Sequence, residues 1–293
     1  MKSMAGFGGG VASLGMKTAA GGGGGVVTDD LKAYLDFGDT NSWNGSSTSV
    51  NDLSGNSNGG TLVTNDGSAS TQYFSAGSGN GGYIRFDTNT GSQGGGYPKI
   101  RRDGTDFFDD MGLKPFTIEF WLRPYWANTS VNYQFFVNHA GSPYTHNFRI
   151  ALKVNGSNMQ VRGPHLQGNS TEWIYFGNDS TNYFNVSNGN LATQWTHLVY
   201  VRNGPPDATT NYKTEVFING NSIGSNTSGY GSYDQDSTLD NGRGLGSSSM
   251  TSTGDGTQYR GDLAIYRFYL NRALSSSEIT QNFDAEKERF GLS

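Results

Sequence analysis

The stretch from Gln258 to Leu292 limits what this chain can fold into more than any other part of the sequence. It begins with Gln258–Tyr269, a run rich in aromatic and β-favouring residues that predicts a strand. Few polar residues interrupt the second half of this run, so we expect the strand to be buried on both faces. Ser275 and Glu278 then have the spacing of a capping box, which predicts the start of a helix.

The predicted helix carries Ile279, Phe283 and Phe290 at spacings that bring them to one side. An apolar side of this kind packs on a sheet, and we expect the helix to lie on the closing strand. It is the one helix that the sequence predicts. The chain is therefore expected to be an all-β protein closed by a single helix.

Alternating patterns predict many further strands. Residues 116–123 alternate with a period of two, as a strand does. Asn155-Gly156 and Asn219-Gly220 stand between apolar runs, and both dipeptides favour the positive φ angles of tight hairpins. About a dozen short strands favour one large sandwich of two antiparallel sheets. Further strands are predicted at 29–37, 83–86, 133–137, 148–154 and 173–176.

Composition agrees with a sandwich that has long polar loops. Only 33% of the residues are hydrophobic but 13% are aromatic, so the core is made from few, large side chains. The absence of cysteine excludes a disulfide framework. The net charge is −5 and no basic stripe occurs, which excludes a nucleic-acid partner. No apolar run is long enough for a membrane-spanning helix, so no membrane partner is predicted.

Residues 1–28 differ from the rest of the chain because they are rich in glycine and contain no apolar core of a signal peptide. One interpretation is a flexible linker. The other is an extended arm that anchors the protein in an assembly, and this is the one we favour. Residues 29–293 are expected to form one domain. The side chains expected to anchor the arm are Phe7, Val11, Leu14 and Met16.

Five stretches of the sequence resemble laminin-G-like, concanavalin A-like lectin domains. Ala264–Ile279 resembles their closing strand and helix, and Val50–Leu62 resembles their opening loop, Asp-x-Ser-Gly-Asn followed by Gly-x-Leu. Phe116–Pro124 is similar to their central strand, and Trp195–Val201 with Glu215–Gly220 to a later hairpin. The resemblance implies a jelly-roll sandwich of two antiparallel sheets with one short C-terminal helix, here preceded by the glycine-rich arm.

The same fold is used by lectins, glycosidases and adhesion modules, so it does not by itself give a function. Glucanases that this chain resembles in fold carry their two catalytic carboxylates in a Glu-x-Asp-x-x-Glu strand, and the sequence has no such pattern. Glu119 and Glu215 are isolated and are interpreted as solvated strand residues. The four histidines show no HExxH spacing. We therefore predict no enzyme activity and assign no catalytic residue.

The resemblance also implies a structural calcium ion held between the opening loop and the closing strand. Asp52 and Asn56 supply the loop half of that pattern. The closing strand has Ala264 and Ile265 where relatives have an acidic pair, and Ca²⁺ needs six to eight oxygen ligands. The sequence therefore leaves the presence of a structural calcium ion undecided, and no metal ligand is assigned. Asp234, Asp236 and Asp240 lie close together in a long loop and could make another calcium site, but their irregular spacing favours solvated loop carboxylates.

Aromatic side chains in or beside the loops are the candidates for binding a sugar, because their faces pack against apolar sugar faces while polar groups bind the hydroxyls. The residues that we single out are Tyr125, Trp126, Tyr144, His146, Trp173, Tyr175, Tyr230 and Tyr233.

The sequence supports two hypotheses for the function. The ending Ser275–Gly291 resembles laminin-G-like structural proteins of marine tailed bacteriophages. This implies a non-enzymatic virion protein, assembled in the bacterial cytoplasm as a head decoration, a fibre or a tail component. It would join other virion proteins through its arm, form a homo-oligomer and present a lectin-like domain to host or environmental glycans. The alternative is an exported cellular carbohydrate-binding module or glycosidase accessory domain.

Overall fold

The chain folds as two antiparallel sheets and a C-terminal helix in a computed structural model. The described residues are 24–63, 82–86, 99–101, 114–126, 133–139, 148–155, 158–163, 174–176, 181–187, 189–204, 213–226, 244–245 and 259–293. The strands are β1 Leu31–Asp36, β2 Ser49–Val50, β3 Gly60–Val63, β4 Ile84–Phe86, β5 Lys99–Arg101, β6 Phe116–Pro124, β7 Tyr133–His139, β8 Phe148–Asn155, β9 Asn158–Gly163, β10 Ile174–Phe176, β11 Thr196–Asn203, β12 Lys213–Ile218, β13 Asn221–Asn226, β14 Gly244–Leu245 and β15 Gly261–Leu270. Helix α1, Ser276–Glu286, is followed by the 3-10 helix Lys287–Phe290.

The first sheet has seven strands in the order β1-β15-β6-β11-β12-β13, with β4 beside the start of β15. The second sheet has eight strands in the order β10-β9-β8-β7-β14-β5-β3-β2. Large side chains from the two sheets meet in one core, for example Phe120 and Tyr200 from the first sheet with Leu152 and Phe176 from the second. The predicted sandwich of two antiparallel sheets is confirmed.

Strand β15 lies between β1 and β6 in the first sheet, and all ten of its residues are buried. Tyr266 and Phe268 point into the core between the sheets. Ile265 and Tyr269 point to the opposite face, where α1 covers them. The prediction of a closing strand buried on both faces is therefore confirmed, and the helix is what buries its outer face.

Helix α1 begins with the predicted capping box. The Ser275 hydroxyl accepts a hydrogen bond from the Glu278 backbone N–H at 3.3 Å, and the Glu278 carboxylate accepts one from the Ser275 N–H at 2.8 Å. Ile279 is fully buried and Phe283 is half-buried. Phe290 stacks on Trp121 of β6 with ring centroids 4.1 Å apart. The apolar side expected from the sequence is the side that packs on the sheet.

Both predicted hairpins are present as paired strands. Asn219 and Gly220 have φ angles of 49° and 77° between β12 and β13, as two residues in a tight turn require. Strands β8 and β9 pair up to Asn155 and Asn158, and the two residues between them lie outside the described part of the chain.

A short segment before β1 lies along helix α1. The Gln281 side chain donates to the Gly25 carbonyl at 2.6 Å, and the Val27 N–H donates to the Asn282 side chain at 2.8 Å. The Tyr269 hydroxyl donates to the Val27 carbonyl at 2.9 Å. Contacts with the domain thus begin inside residues 1–28, the range that the sequence assigned to the arm.

Replacing Gly163 with alanine should destabilise the sandwich. A Cβ atom there would lie 2.6 Å from the Tyr200 ring and 2.8 Å from the Phe176 ring, both of which are buried in the core. Overpacking of this kind costs about 1–3 kcal/mol. Gly25→Ala is the matched control because nothing lies within 4 Å of its added Cβ. Equal urea-unfolding midpoints for the two variants would contradict the close packing at Gly163.

Candidate functional site

The outer face of the first sheet carries the most extensive group of polar contacts among the described residues. Its innermost member is Glu119 of β6, which is fully buried. One carboxylate oxygen accepts a hydrogen bond from Arg267 at 2.6 Å and lies 2.9 Å from His197 Nε2. The other accepts a hydrogen bond from Asn282 of α1 at 2.8 Å. The prediction that Glu119 is a solvated strand residue is therefore wrong, because α1 covers this face.

A second carboxylate, Glu286 at the end of α1, shares the same guanidinium. Arg267 Nη1 donates to Glu286 at 3.0 Å, and Arg267 Nη2 makes a further short contact with it. The indole N–H of Trp121 donates to Glu286 at 2.7 Å. We call Glu119, Arg267 and Glu286, with the contacts from His197 and Asn282, the helix clamp. It joins the helix to the sheet through charged groups.

The pKa of Glu119 argues against a role as a general acid. Burial alone would raise the pKa of Glu119, but the Arg267 charge and the hydrogen bonds from His197 and Asn282 hold this pKa at about 2. A glycosidase general acid needs a carboxyl group with a raised pKa so that it is protonated when it acts. Glu119 is instead ionised and enclosed, so the pair of carboxylates serves to hold α1 in place.

Glu215, the other isolated glutamate, lies at the edge of the sheet. Its side chain is partly exposed and accepts hydrogen bonds from Lys213 at 3.0 Å and Ser222 at 2.6 Å. These partners hold the pKa of Glu215 below its ordinary value, against the effect of its partial burial. It takes no part in the helix clamp.

Beyond the end of α1, the same face of the first sheet carries a second cluster. We call it the aromatic–arginine patch: Tyr83, Arg85, Arg123, Trp195 and Asp262. Asp262 is fully buried, and its two oxygens receive Arg85 Nε at 2.6 Å and Arg85 Nη2 at 3.0 Å. Arg123 donates to it through Nη2 at 2.6 Å and Nε at 3.1 Å. These three residues lie side by side on β4, β15 and β6.

The rings of the patch lie against these guanidinium groups. The Arg123 guanidinium carbon is 4.8 Å from the Trp195 ring centroid and 5.4 Å from that of Tyr83. The two rings meet edge to face at 5.5 Å, and Trp195 also packs on Phe290 at 5.1 Å. Such contacts between guanidinium groups and aromatic faces are favourable and hold the side chains in fixed positions.

The patch is accessible from solvent. The side chains of Arg85 and Arg123 are 26% and 21% exposed, and Tyr83 and Trp195 are half-buried. Both guanidinium groups pair with the single carboxylate of Asp262. Chemically, the patch offers aromatic edges and faces for apolar surfaces and charged N–H donors for hydroxyl or acidic groups.

The aromatic residues proposed from the sequence fall elsewhere. Tyr125 and Trp126 are 9% and 7% exposed, and Trp126 lies in the core between the sheets, so their rings are engaged in packing. Tyr175 lies in β10, where its Cα pairs with that of Arg162 on β9. The remaining proposed residues lie outside the described part of the chain: Tyr144, His146, Trp173, Tyr230 and Tyr233, and the arm residues Phe7, Val11, Leu14 and Met16.

The opening loop is held by hydrogen bonds to Asp52. Its carboxylate accepts from the Tyr34 N–H at 2.8 Å, the Ser54 N–H at 2.9 Å, the Ser54 hydroxyl at 2.7 Å and the Asn58 N–H at 2.9 Å. The Asn56 side chain donates to the Leu31 carbonyl at 2.8 Å. Both residues proposed as calcium ligands thus bind protein groups. Within the described ranges, no group of three His, Cys, Asp or Glu side chains is placed to hold a metal ion.

The second carboxylate group proposed for calcium, Asp234, Asp236 and Asp240, lies outside the described residues. Among the helices that the structure describes, none is long and apolar enough to cross a membrane.

Acid should weaken the fold through Glu119. Because its pKa in the folded protein is about 2, below its ordinary value of 4.5, its stabilisation is complete above pH 4.5 and is lost as the pH falls towards 2. The full effect is about 3 kcal/mol. Urea unfolding at several pH values should show Glu119→Gln less stable than wild type at pH 7. The difference should shrink towards pH 2, and a constant difference would contradict the assignment.

This chain is similar in sequence and in architecture to known proteins. The sequence profile of the laminin-G-like family, described as the concanavalin A-like lectin/glucanases superfamily, matches residues 94–280. No curated protein sequence matches the chain significantly. The botulinum neurotoxin serotype D binding domain superposes with a TM-score of 0.50 at 10% identity, over 89% of this chain and 52% of that chain. The serotype D/C binding domain gives 0.50 at 12% identity, over 88% and 52%.

A carbohydrate-binding module, CBM40 of a Ruminococcus gnavus IT-sialidase bound to α2,3 sialyllactose, gives a TM-score of 0.39 at 13% identity, over 58% of this chain and 83% of that chain. The chain spans about half the length of the neurotoxin structures that it matches. All three of these neighbours are binding domains, and at these identities the neurotoxin domains share the fold and no more. The two antiparallel sheets, the closing strand with its capped helix and the matched profile together show that this chain belongs to the laminin-G-like family of the concanavalin A-like lectin/glucanase superfamily.

Proposed function

We propose that this lectin-like domain is a non-catalytic carbohydrate-binding module, and that its ligand lies on the aromatic–arginine patch. The observation that carries the proposal is the position of Arg123 between Trp195 and Tyr83 on a partly exposed surface. Sugars have apolar faces that pack on aromatic rings and hydroxyl groups that accept hydrogen bonds. Half-buried rings beside charged N–H donors supply both kinds of contact in one place.

The patch is built on rigid backbone, as a binding site should be. Arg123 belongs to β6, which is flanked by β15 and β11. Gly261 opposes Pro124 beside it, with a φ angle of 126° that favours glycine. A Cβ atom at Gly261 would lie 2.1 Å from the Arg123 carbonyl oxygen. The two strands therefore approach closely at the patch, and the donors are fixed before a ligand arrives.

The outer face of the second sheet offers fewer accessible groups in its described part. Gln160 and Arg162 of β9 are its buried polar residues, and the Arg162 side chain donates to Gln160 at 3.1 Å. Because both are enclosed, they do not present donors to a ligand as Arg123 does. We therefore place the carbohydrate on the first sheet.

Removing the Trp195 ring should weaken carbohydrate binding. The test is a glycan array with the full chain, followed by calorimetry on the strongest ligand. We expect Trp195→Ala to weaken binding at least about tenfold, since buried aromatic anchors commonly contribute 2 kcal/mol or more. Trp195→Phe keeps a ring at this position and should retain most of the affinity. Wild-type protein that binds no carbohydrate, or equal affinity for Trp195→Ala, would refute the proposal.

We infer further that the protein is a structural component of a tailed-phage virion, attached through its N-terminal segment. The proposal rests on the resemblance of Ser275–Gly291 to phage structural proteins and on the segment that lies along α1. Gly25 and Val27 are held at the end of the sheet where Tyr269 pairs with Thr117. The patch lies six residues further along β6, about 20 Å away. Attachment at one end would leave the patch open at the other.

The attachment proposal predicts different results for two deletions. Removal of residues 1–23 leaves the contacts of Gly25 and Val27 intact, so the domain should fold as wild type but no longer join particles. Removal of residues 1–28 also takes away the Val27 hydrogen bonds and should lower the melting temperature. Proteomics of purified particles provides the measurement. A protein found free in the medium and absent from particles would support the exported module instead.

A further inference from the structure

We infer that the aromatic–arginine patch selects sugars that carry an acetyl group, either as an N-acetyl amide or as an O-acetyl ester. The inference rests on the proposed carbohydrate-binding function and names the class of ligand. An acetyl group joins two parts on one carbon atom: a carbonyl oxygen, which only accepts hydrogen bonds, and an apolar methyl group. The patch offers a partner for each part.

The first support is that the patch has hydrogen-bond donors to spare. Arg123 gives its Nε and Nη2 groups to Asp262 at 3.1 and 2.6 Å, while its Nη1 group has no acceptor within the described part of the chain. The indole N–H of Trp195 likewise donates to none of the described residues. Neither nitrogen is an enclosed atom, so a ligand can reach both.

The second support is that the oxygens of the patch are already engaged. The carboxylate of Asp262 is fully buried, and its oxygens bind Arg85 and Arg123. The Tyr83 hydroxyl lies 3.5 Å from Arg85 Nη2. A sugar hydroxyl both donates and accepts, so a site dominated by donors pairs its oxygen better than its hydrogen. A carbonyl oxygen has no hydrogen to place. Asp262 is therefore a positioning residue, which holds one edge of the guanidinium and leaves the other to the ligand.

The third support is the apolar surface beside the free donor. The Arg123 guanidinium carbon is 4.8 Å from the Trp195 ring centroid and 5.4 Å from that of Tyr83. A carbonyl oxygen bound to Nη1 therefore places its methyl group next to these rings. Tyr83, Trp195 and Leu292 all pack, partly buried, on the cluster that contains Phe290, so the apolar surface continues past the rings. Arg123 is assigned to the carbonyl oxygen and the two rings to the methyl group.

The test compares sugars that differ only in acetylation. The probes are chitotriose with cellotriose, N-acetyllactosamine with lactose, and acetylated xylotriose with xylotriose, titrated against the full chain by calorimetry. We expect the acetylated member of at least one pair to bind about tenfold or more tightly, since a hydrogen bond from a charged donor and a buried methyl group both add affinity. The first two pairs report an N-acetyl amide, and the third reports an O-acetyl ester. Because the acetyl group is neutral, the preference should be the same at low and high salt.

Three results would overturn the acetyl class. Equal binding within every pair, with Trp195→Ala still weakening it, would do so while the carbohydrate-binding proposal stands. A preference that disappears as the salt concentration rises would mean that a charged group is bound instead. Binding of none of the probes also overturns the acetyl class, and the glycan array then decides the function separately.

Arginine variants locate the donor. Arg123→Met removes the N–H groups at similar length and should reduce the preference to less than about twofold, whereas Arg272→Met should leave it unchanged. Arg272 is a matched control because it is 27% exposed and paired with one carboxylate, Glu278, at the other end of the face. Arg123→Lys keeps a charged donor beside Asp262 and should retain part of the preference, which separates loss of the donor from loss of folding. An unchanged preference in a folded Arg123→Met protein would refute the assignment of the carbonyl oxygen to Arg123.

Discussion

The guanidinium of Arg267 is the group on which the outer half of this structure depends. It lies fully buried on β15 and binds Glu119 from the neighbouring strand and Glu286 from the helix. Burying a charge is costly unless it is paired and hydrogen-bonded, and removing one member of a buried pair commonly costs 3–5 kcal/mol. Departure of the helix would therefore break the pairing of Arg267 with Glu286 and remove the Asn282 hydrogen bond to Glu119.

The attachment of the helix explains why the outer face of the first sheet has two regions with different properties. Where α1 lies, the strands present charged groups that are paired with each other or with the helix and are enclosed. Beyond the 3-10 helix, which ends at Phe290, Arg123 lies beside the buried Asp262 and is partly exposed to solvent. The helix thus fixes the border of the aromatic–arginine patch as well as the sheet beneath it. In a fold that is shared by lectins and enzymes, it is this local arrangement that distinguishes a binding surface from a structural one.

The sequence predicted those features that depend on neighbouring residues. The capping box at Ser275, the turn at Asn219-Gly220 and the doubly buried closing strand are all local patterns, and all three are confirmed. The patch depends on Arg85 and Arg123 meeting Asp262, which lies 177 and 139 residues away along the chain. No pattern in the sequence shows which strands are paired. The prediction that Glu119 is solvated was wrong for the same reason. Its position in an alternating strand does not show that a helix covers that face of the sheet.

The position of β15 between β1 and β6 has a consequence for how the protein is made. This strand separates β1 from β6 in the first sheet, yet it is synthesised after all the other strands. While the ribosome is still translating, β1 and β6 each expose an unpaired edge, and the sheet cannot close. Exposed strand edges pair readily with other chains. The first sheet can therefore be completed only after residues 261–270 are available to pair with both β1 and β6.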